Sequence, residues 1–139
     1  MFEGFCVVYH FNGNNFDNRN EYDKRLFALR KVSPGTIVEL YMPREFANCD
    51  ECVRYRLMAC AKTAKEYGFD CFSTTLTISP HKDTVTVNRI GREVSKEVGL
   101  PFIEKDLKAN DGFKKSVEIS KKMGLYRQNY CGCKNSVRK

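Results

Sequence analysis

No run of roughly 18 consecutive apolar residues occurs in the chain, so the sequence offers no candidate for a membrane-spanning helix. The N-terminus also lacks the basic stretch and apolar run of a secretory signal: Glu3 interrupts its first apolar segment, and Asn12, Asn14 and Asn15 follow. Export is not expected, which leaves the cytoplasm as the expected compartment. Internal repeats and low-complexity segments are absent too. Histidine is scarce, with His10 and His81 alone. At 139 residues the chain is too short for two separate cores, and a single domain spanning 1–139 is expected. With 42% hydrophobic and 29% charged residues, the composition lies near that of ordinary globular proteins and gives no sign of disorder or a fibrous chain.

Two quantities depart from the ordinary. Lys and Arg number 24 against 17 acidic residues, a net charge of +7 that biases the surface towards polyanions such as nucleic acid. Charge alone does not separate such a partner from a merely basic surface. The cysteines number seven. In a reducing compartment they are not expected to form structural disulfides, and metal binding or redox chemistry is the better reading wherever they fall at ligand spacing.

Along the chain, the β-branched and aromatic run at 4–11 reads as a buried strand ended by Asn12-Gly13-Asn14. A helix over about 20–31 follows, with Tyr22, Leu26 and Leu29 or Phe27 at helical spacing and Pro34-Gly35 after it. Residues 36–41 read as a second strand. Val53, Leu57, Ala61 and Ala64 form the stripe of a second helix capped by Gly68, and 69–78 reads as a third strand. Val87, Ile90, Val94 and Val98 mark a third helix ended by Gly99 and Pro101, 102–104 a short fourth strand, and 112–123 a basic fourth helix ended by Gly124. This alternation predicts an α/β fold, Rossmann-like, with a parallel sheet of about four strands and flanking helices. Ligands in such sheets sit beyond the carboxyl ends of the strands, which gathers 12–16, 41–52, 79–82 and 106–111 at one edge.

Cys49-Asp50-Glu51-Cys52 is a C-x-x-C pair at the start of the second helix, where free backbone N–H groups favour thiolates. The spacing suits an iron–sulfur cluster, a zinc ion or a redox disulfide, and the last of these would make Cys49 and Cys52 a thiol–disulfide oxidoreductase pair. Cys131-Gly132-Cys133 supplies a second close pair, its glycine allowing a tight backbone turn. The 78 residues between Cys52 and Cys131 exceed a zinc ribbon's spacing, so only the whole fold can join the pairs. Cys6, Cys60 and Cys71 fall on predicted strands or helices and are assigned to the core, and His10 to a structural role. His81 lies in a loop at the expected site edge, where a structural hydrogen-bonding role competes with a catalytic one. Tyr126-Arg127-Gln128-Asn129-Tyr130 sets a guanidinium and two aromatic rings just before the second pair, suited either to clamping phosphate and stacking on a base or to packing a C-terminal tail.

Three blocks resemble the QueH-type epoxyqueuosine reductases: Cys49-Asp-Glu-Cys-Val-Arg-Tyr-Arg56-Leu57; Ser73-Thr-Thr-Leu-Thr-Ile-Ser79-Pro80-His81-Lys82; and Asp111-Gly-Phe113-Lys-Lys-Ser116 continuing to Leu125-Tyr-Arg-Gln-Asn-Tyr-Cys-Gly-Cys133. The resemblance covers most of the chain, and its last block is the most specific. It implies the final step of queuosine biosynthesis, reduction of epoxyqueuosine to queuosine in a tRNA anticodon loop. It also implies an iron–sulfur cluster of the 4Fe–4S type with an additional iron beside it, no cobalamin, an electron donor of unknown identity and no membrane. Cys49, Cys52, Cys131 and Cys133 would then be metal ligands, and Arg56, Ser79, His81, Lys82, Arg127 and Gln128 would line the pocket or contact phosphate. No catalytic residue is assigned. Members of the family open with a strand and helix carrying Cys-Cys-x-Pro-Cys or Cys-Cys-x-Pro-Asp. No such motif occurs here, the sequence opening at what resembles the family's second strand, and the stretch 41–49 is short. The alternative expectation is an incomplete homologue or fragment that serves as a metal- and tRNA-binding module.

Overall fold

The structure is a computed structural model, and it describes residues 8–12, 19–32, 36–40, 46–79 and 82–127. The chain divides into two compact units, one formed by Met1–Glu45 with Met123–Lys139, the other by Phe46–Lys122.

In the first unit, strand β1 (Val8–Asn12) leads through helix α1 (Arg19–Val32) to strand β2 (Thr36–Leu40), and the two strands pair in parallel with Val8 opposite Thr36 and Asn12 opposite Leu40. This is one βαβ crossover. The predicted helix stripe closes it: Tyr22 and Leu26 of α1 are buried and pack with Phe11 and Ile37 from the two strands, while Phe27 is exposed. The part of the first predicted strand that precedes residue 8 lies outside the described residues.

The second unit is built on two helices, α2 (Cys49–Glu66) and α3 (Thr84–Val98). Val53, Leu57 and Ala61 of α2 meet Val87, Ile90 and Val94 of α3, with Phe72 and Leu100 completing the core. Each of these side chains larger than alanine contributes about 2 kcal/mol when withdrawn from water. Both helices end in glycine at positive φ, Gly68 (+77°) and Gly99 (+78°), the left-handed geometry that terminates a helix without a Cβ clash. A basic helix, α4 (Gly112–Lys122), closes the unit, with none of its residues buried.

The α/β class and a parallel sheet are present, but among the described residues the sheet has two strands rather than about four. The predicted third and fourth strands meet at a single parallel bridge, Phe72 opposite Phe102, carried by Phe72 N–H to the Pro101 carbonyl (3.0 Å) and Ile103 N–H to the Phe72 carbonyl (3.0 Å). Side-chain oxygens stop the ladder there. The Ser73 hydroxyl donates to the Ile103 carbonyl (2.8 Å), the acceptor the next ladder bond would use. The Thr74 hydroxyl then accepts from Leu76 N–H (3.1 Å), and the chain turns into a short 3₁₀ segment, Leu76–Ile78. No helix among the described residues is long and apolar enough to cross a membrane.

Candidate functional site

Asn48 places the cysteine pair. In an extended conformation it caps α2, its side-chain oxygen accepting from Glu51 N–H (2.8 Å), while the Glu51 carboxylate accepts from Ala47 N–H (3.3 Å) and the Asn48 carbonyl accepts from Cys52 N–H (3.2 Å). Cys49 is thereby the first helical residue and Cys52 lies one turn on, Cys49 exposed and Cys52 buried. The first-turn amides of a helix lack intrahelical acceptors and carry partial positive charge, which suits sulfur ligands bearing negative charge.

α3 begins in the same way. Asp83 caps it, accepting from Val85 N–H (3.2 Å) and from the Thr86 hydroxyl (2.7 Å). These contacts, the Thr86 hydroxyl first, hold its carboxyl below the usual range, and Lys108 adds to the effect. The two capped helix starts border one open cleft of about 210 Å³ lined by Cys49, Asp50 and Val53 from α2 and by Lys82, Asp83, Thr86 and Val87 from the start of α3. Lys82 is the one cation among these lining residues. Asp50 of this cleft lies 3.9 Å from Arg89, and Arg54 and Arg89 both bind Glu93 (2.6 and 3.1 Å). Arg54 first, then Arg89, holds the Glu93 carboxyl below its ordinary value.

Of the residues expected at the site, the structure brings Cys49 and Lys82 to one cleft. Cys52 sits a turn along α2, and Arg56 a further turn on the same side, half-buried, with its Nε enclosed and without a hydrogen-bond partner. Ser79 is joined to Lys82 by Lys82 N–H donating to the Ser79 carbonyl (3.3 Å). Arg127 is exposed in the first unit. His81, Gln128, Cys131 and Cys133 lie outside the described residues. Among the described residues no three His, Cys, Asp or Glu side chains converge as a metal site. Two soft sulfurs on the first turn of a helix fit an iron–sulfur cluster chemically. Cys60 and Cys71, assigned to the core, are half-buried, and burial pushes the Cys60 thiol up. Cys6 is outside the described residues.

The segment leading to the second cysteine pair is anchored in the first unit. The Tyr126 hydroxyl reaches both oxygens of Glu21 (2.9 and 2.7 Å), and buried Glu21 also pairs with buried Arg25 at 2.8 Å. Lys24 lies 5.4 Å from the centre of the Tyr126 ring. Of the two uses the sequence allows for Tyr126, the observed contacts are those of a packed tail. Glu21 and Arg25 were not singled out in the sequence because their pairing at i, i+4 looks like any surface ion pair until the burial is known.

The sequence profile described as Epoxyqueuosine reductase QueH matches residues 37–139, a span that holds both cysteine pairs. The chain belongs to the epoxyqueuosine reductase QueH family. Among its QueH relatives, the Epoxyqueuosine reductase QueH of Streptococcus pyogenes is 32% identical over 151 residues, covering 91% of this chain and 59% of that protein. The protein of the same name from Thermotoga maritima is 36% identical over 146 residues, with 90% and 76% covered, and that from Dehalococcoides mccartyi 32% over 145 residues, with 94% and 79%. The chain thus spans 59% of the length of the streptococcal relative. Within the QueH match, the Cys49–Cys52 block forms the capped start of α2, and the block ending at Lys82 contributes Lys82 itself to the cleft.

Proposed function

We propose that the chain reduces epoxyqueuosine to queuosine in tRNA, in the cytoplasm, at an iron–sulfur cluster held by Cys49, Cys52, Cys131 and Cys133 with an additional iron nearby. The observation that carries this reading is the family match across both cysteine pairs, joined to the cleft that Cys49 shares with Lys82. Converting the epoxide to an alkene takes up two electrons and two protons and releases the oxygen as water. The cluster and iron, when bound, would relay electrons from an external donor and polarise the epoxide oxygen.

The chain's own groups have separate parts in this. Cys49 and Cys52 would hold the metal centre, and the first-turn amides of α2 would favour their thiolates. Lys82, which lines the cleft with Cys49, would hold a proton near the departing oxygen, a part for which the Asp83 carboxylate, engaged with the Thr86 hydroxyl and Val85 N–H, is less suited. Arg56, Ser79, His81, Arg127 and Gln128 stand as candidates for binding the nucleotide and its phosphates. In a second reading the chain binds metal and tRNA without turnover.

Anaerobic reconstitution with iron and sulfide, comparing the wild-type chain with Cys49→Ala and Cys131→Ala, tests the ligand set. A sulfide-containing chromophore in the wild type that is lost in both variants is expected. Mass analysis of nucleosides from epoxyqueuosine tRNA incubated with the reconstituted chain and a chemical reductant then separates the two readings. Loss of 16 mass units, the mass of the oxygen atom removed, supports the reductase, whereas bound tRNA left unchanged leaves the binding module.

A further inference from the structure

Lys108 lies in the loop between Phe102 and α4, outside every motif singled out in the sequence. Its ammonium donates to three backbone carbonyls: Thr77 (2.8 Å), Ser79 (2.9 Å) and Lys82 (2.8 Å). Three N–H donors thus meet three acceptors on the turn that joins the 3₁₀ segment to α3. The latch extends on both sides. Thr77 is fully buried, and its hydroxyl accepts from Leu107 N–H (3.2 Å), while the Asp106 carboxylate accepts from Lys108 N–H (3.0 Å) and from the Thr84 hydroxyl (3.4 Å).

We propose that Lys108 is a positioning residue that sets Lys82 in the cleft beside Cys49 by tying together the carbonyls of Thr77, Ser79 and Lys82. An ammonium is suited to this task because its three donors spread as a tripod and each carbonyl is charge-assisted. The planar guanidinium of arginine directs its donors in one plane and does not match the three carbonyls. The proposal rests on reading this cleft as the reaction site. Its test is chosen to read the geometry of the cleft without turnover, so that failure of the reductase reading and failure of the latch are told apart.

The test alkylates Cys49 in the full chain, reduced and stripped of metal by a chelator, with iodoacetate and separately with the uncharged iodoacetamide, and follows the Cys49 peptide by mass spectrometry. A cation held in the cleft raises the rate with the anionic reagent relative to the neutral one. Lys82→Met is expected to lower that ratio about threefold, the order expected for one unit charge several ångströms away in a solvent-rich cleft. Lys108→Met, whose own side chain is not among the cleft's lining residues, is expected to lower the ratio to the same extent. Lys108→Arg does not restore it, and the double variant shows no further fall. Should Lys108→Met fail to fold, Lys108→Gln, which can donate two of the three bonds, is read in the same way. An unchanged ratio in the Lys108 variants, including one in which both rates rise together as a loosened fold would give, overturns the proposal. So does an unchanged ratio in Lys82→Met.

Discussion

Tyr22 and Tyr126 each point a phenol at a carboxylate, Tyr22 at Glu39 (3.1 Å) and Tyr126 at Glu21. A phenol in that position donates a hydrogen bond while protonated and becomes a second anion beside the first when ionised. Burial and then Glu39 push the Tyr22 phenol up to about 12, and burial and then Glu21 push Tyr126 in the same direction. In the unfolded chain both phenols ionise near their ordinary value of about 10. The folded state binds these protons more tightly, so its advantage is complete below about pH 10 and is lost as pH rises from there towards 12. Urea titrations at stepped pH are therefore expected to show the unfolding midpoint falling above pH 10. Tyr126→Phe is expected to cost about 1 kcal/mol at neutral pH and to flatten part of the alkaline decline. A midpoint indifferent to pH between 10 and 12 would mean that these contacts do not persist in solution.

The four helices were legible in the sequence because each carries an apolar stripe or a punctuating glycine that no strand would share. Val87, Ile90 and Val94 are a clear case: all three are buried at the spacing that predicts them, and Gly99 stops the helix where expected. The third strand was misread because Phe72, Thr74, Thr75 and Thr77 carry strand propensity, whereas the hydroxyls of Ser73 and Thr74 take over backbone partners once the chain has folded. That Cys49 and Lys82 share a cleft agrees with the expected gathering of 41–52 and 79–82, and 106–111 was expected at the same edge, but nothing in a sequence marks Lys108 as a lysine whose acceptors are carbonyls 26 to 31 positions away. The loop from Lys108 to Gly112 shows the same dependence on packing. Asn110 and Asp111 adopt positive φ (56° and 60°), tolerable for these two residue types, and a Cβ on Gly112 would lie 1.7 Å from the Leu107 carbonyl oxygen. That contact is with backbone, so it is relieved only by moving the loop. Gly112→Ala is expected to destabilise the chain by about 2 kcal/mol and to increase amide exchange at Leu107, whose N–H is bound to Thr77. Wild-type stability and exchange in the variant would show that the loop yields without cost.

Across the whole molecule, a net charge of +7 has a consequence that no single contact settles. A polyanion that binds such a surface releases the counterions condensed on its phosphates, so affinity falls with salt along a line whose slope counts the phosphates neutralised. The steepness is set by how many cations lie against the partner rather than by how many the chain contains. α4 offers a compact test: with 3.6 residues per turn, Lys114, Lys115, Lys121 and Lys122 fall within about a third of the helix circumference, all exposed, with Glu118 among them and Val117 and Phe113 along one flank. Binding of unmodified tRNA, followed from low to physiological salt, is expected to weaken steeply for the wild-type chain. Replacing those four lysines by glutamine is expected to lessen the slope by roughly 0.7 to 0.9 for each phosphate contact removed. Because the substituted side chains are exposed and α4 buries none of its residues, stability should be nearly unchanged, which separates lost contact from lost fold. A slope reduced by two or more would place this helix against the tRNA backbone. An unchanged slope would assign the contact to other cations and leave the α4 lysines as a solvated face.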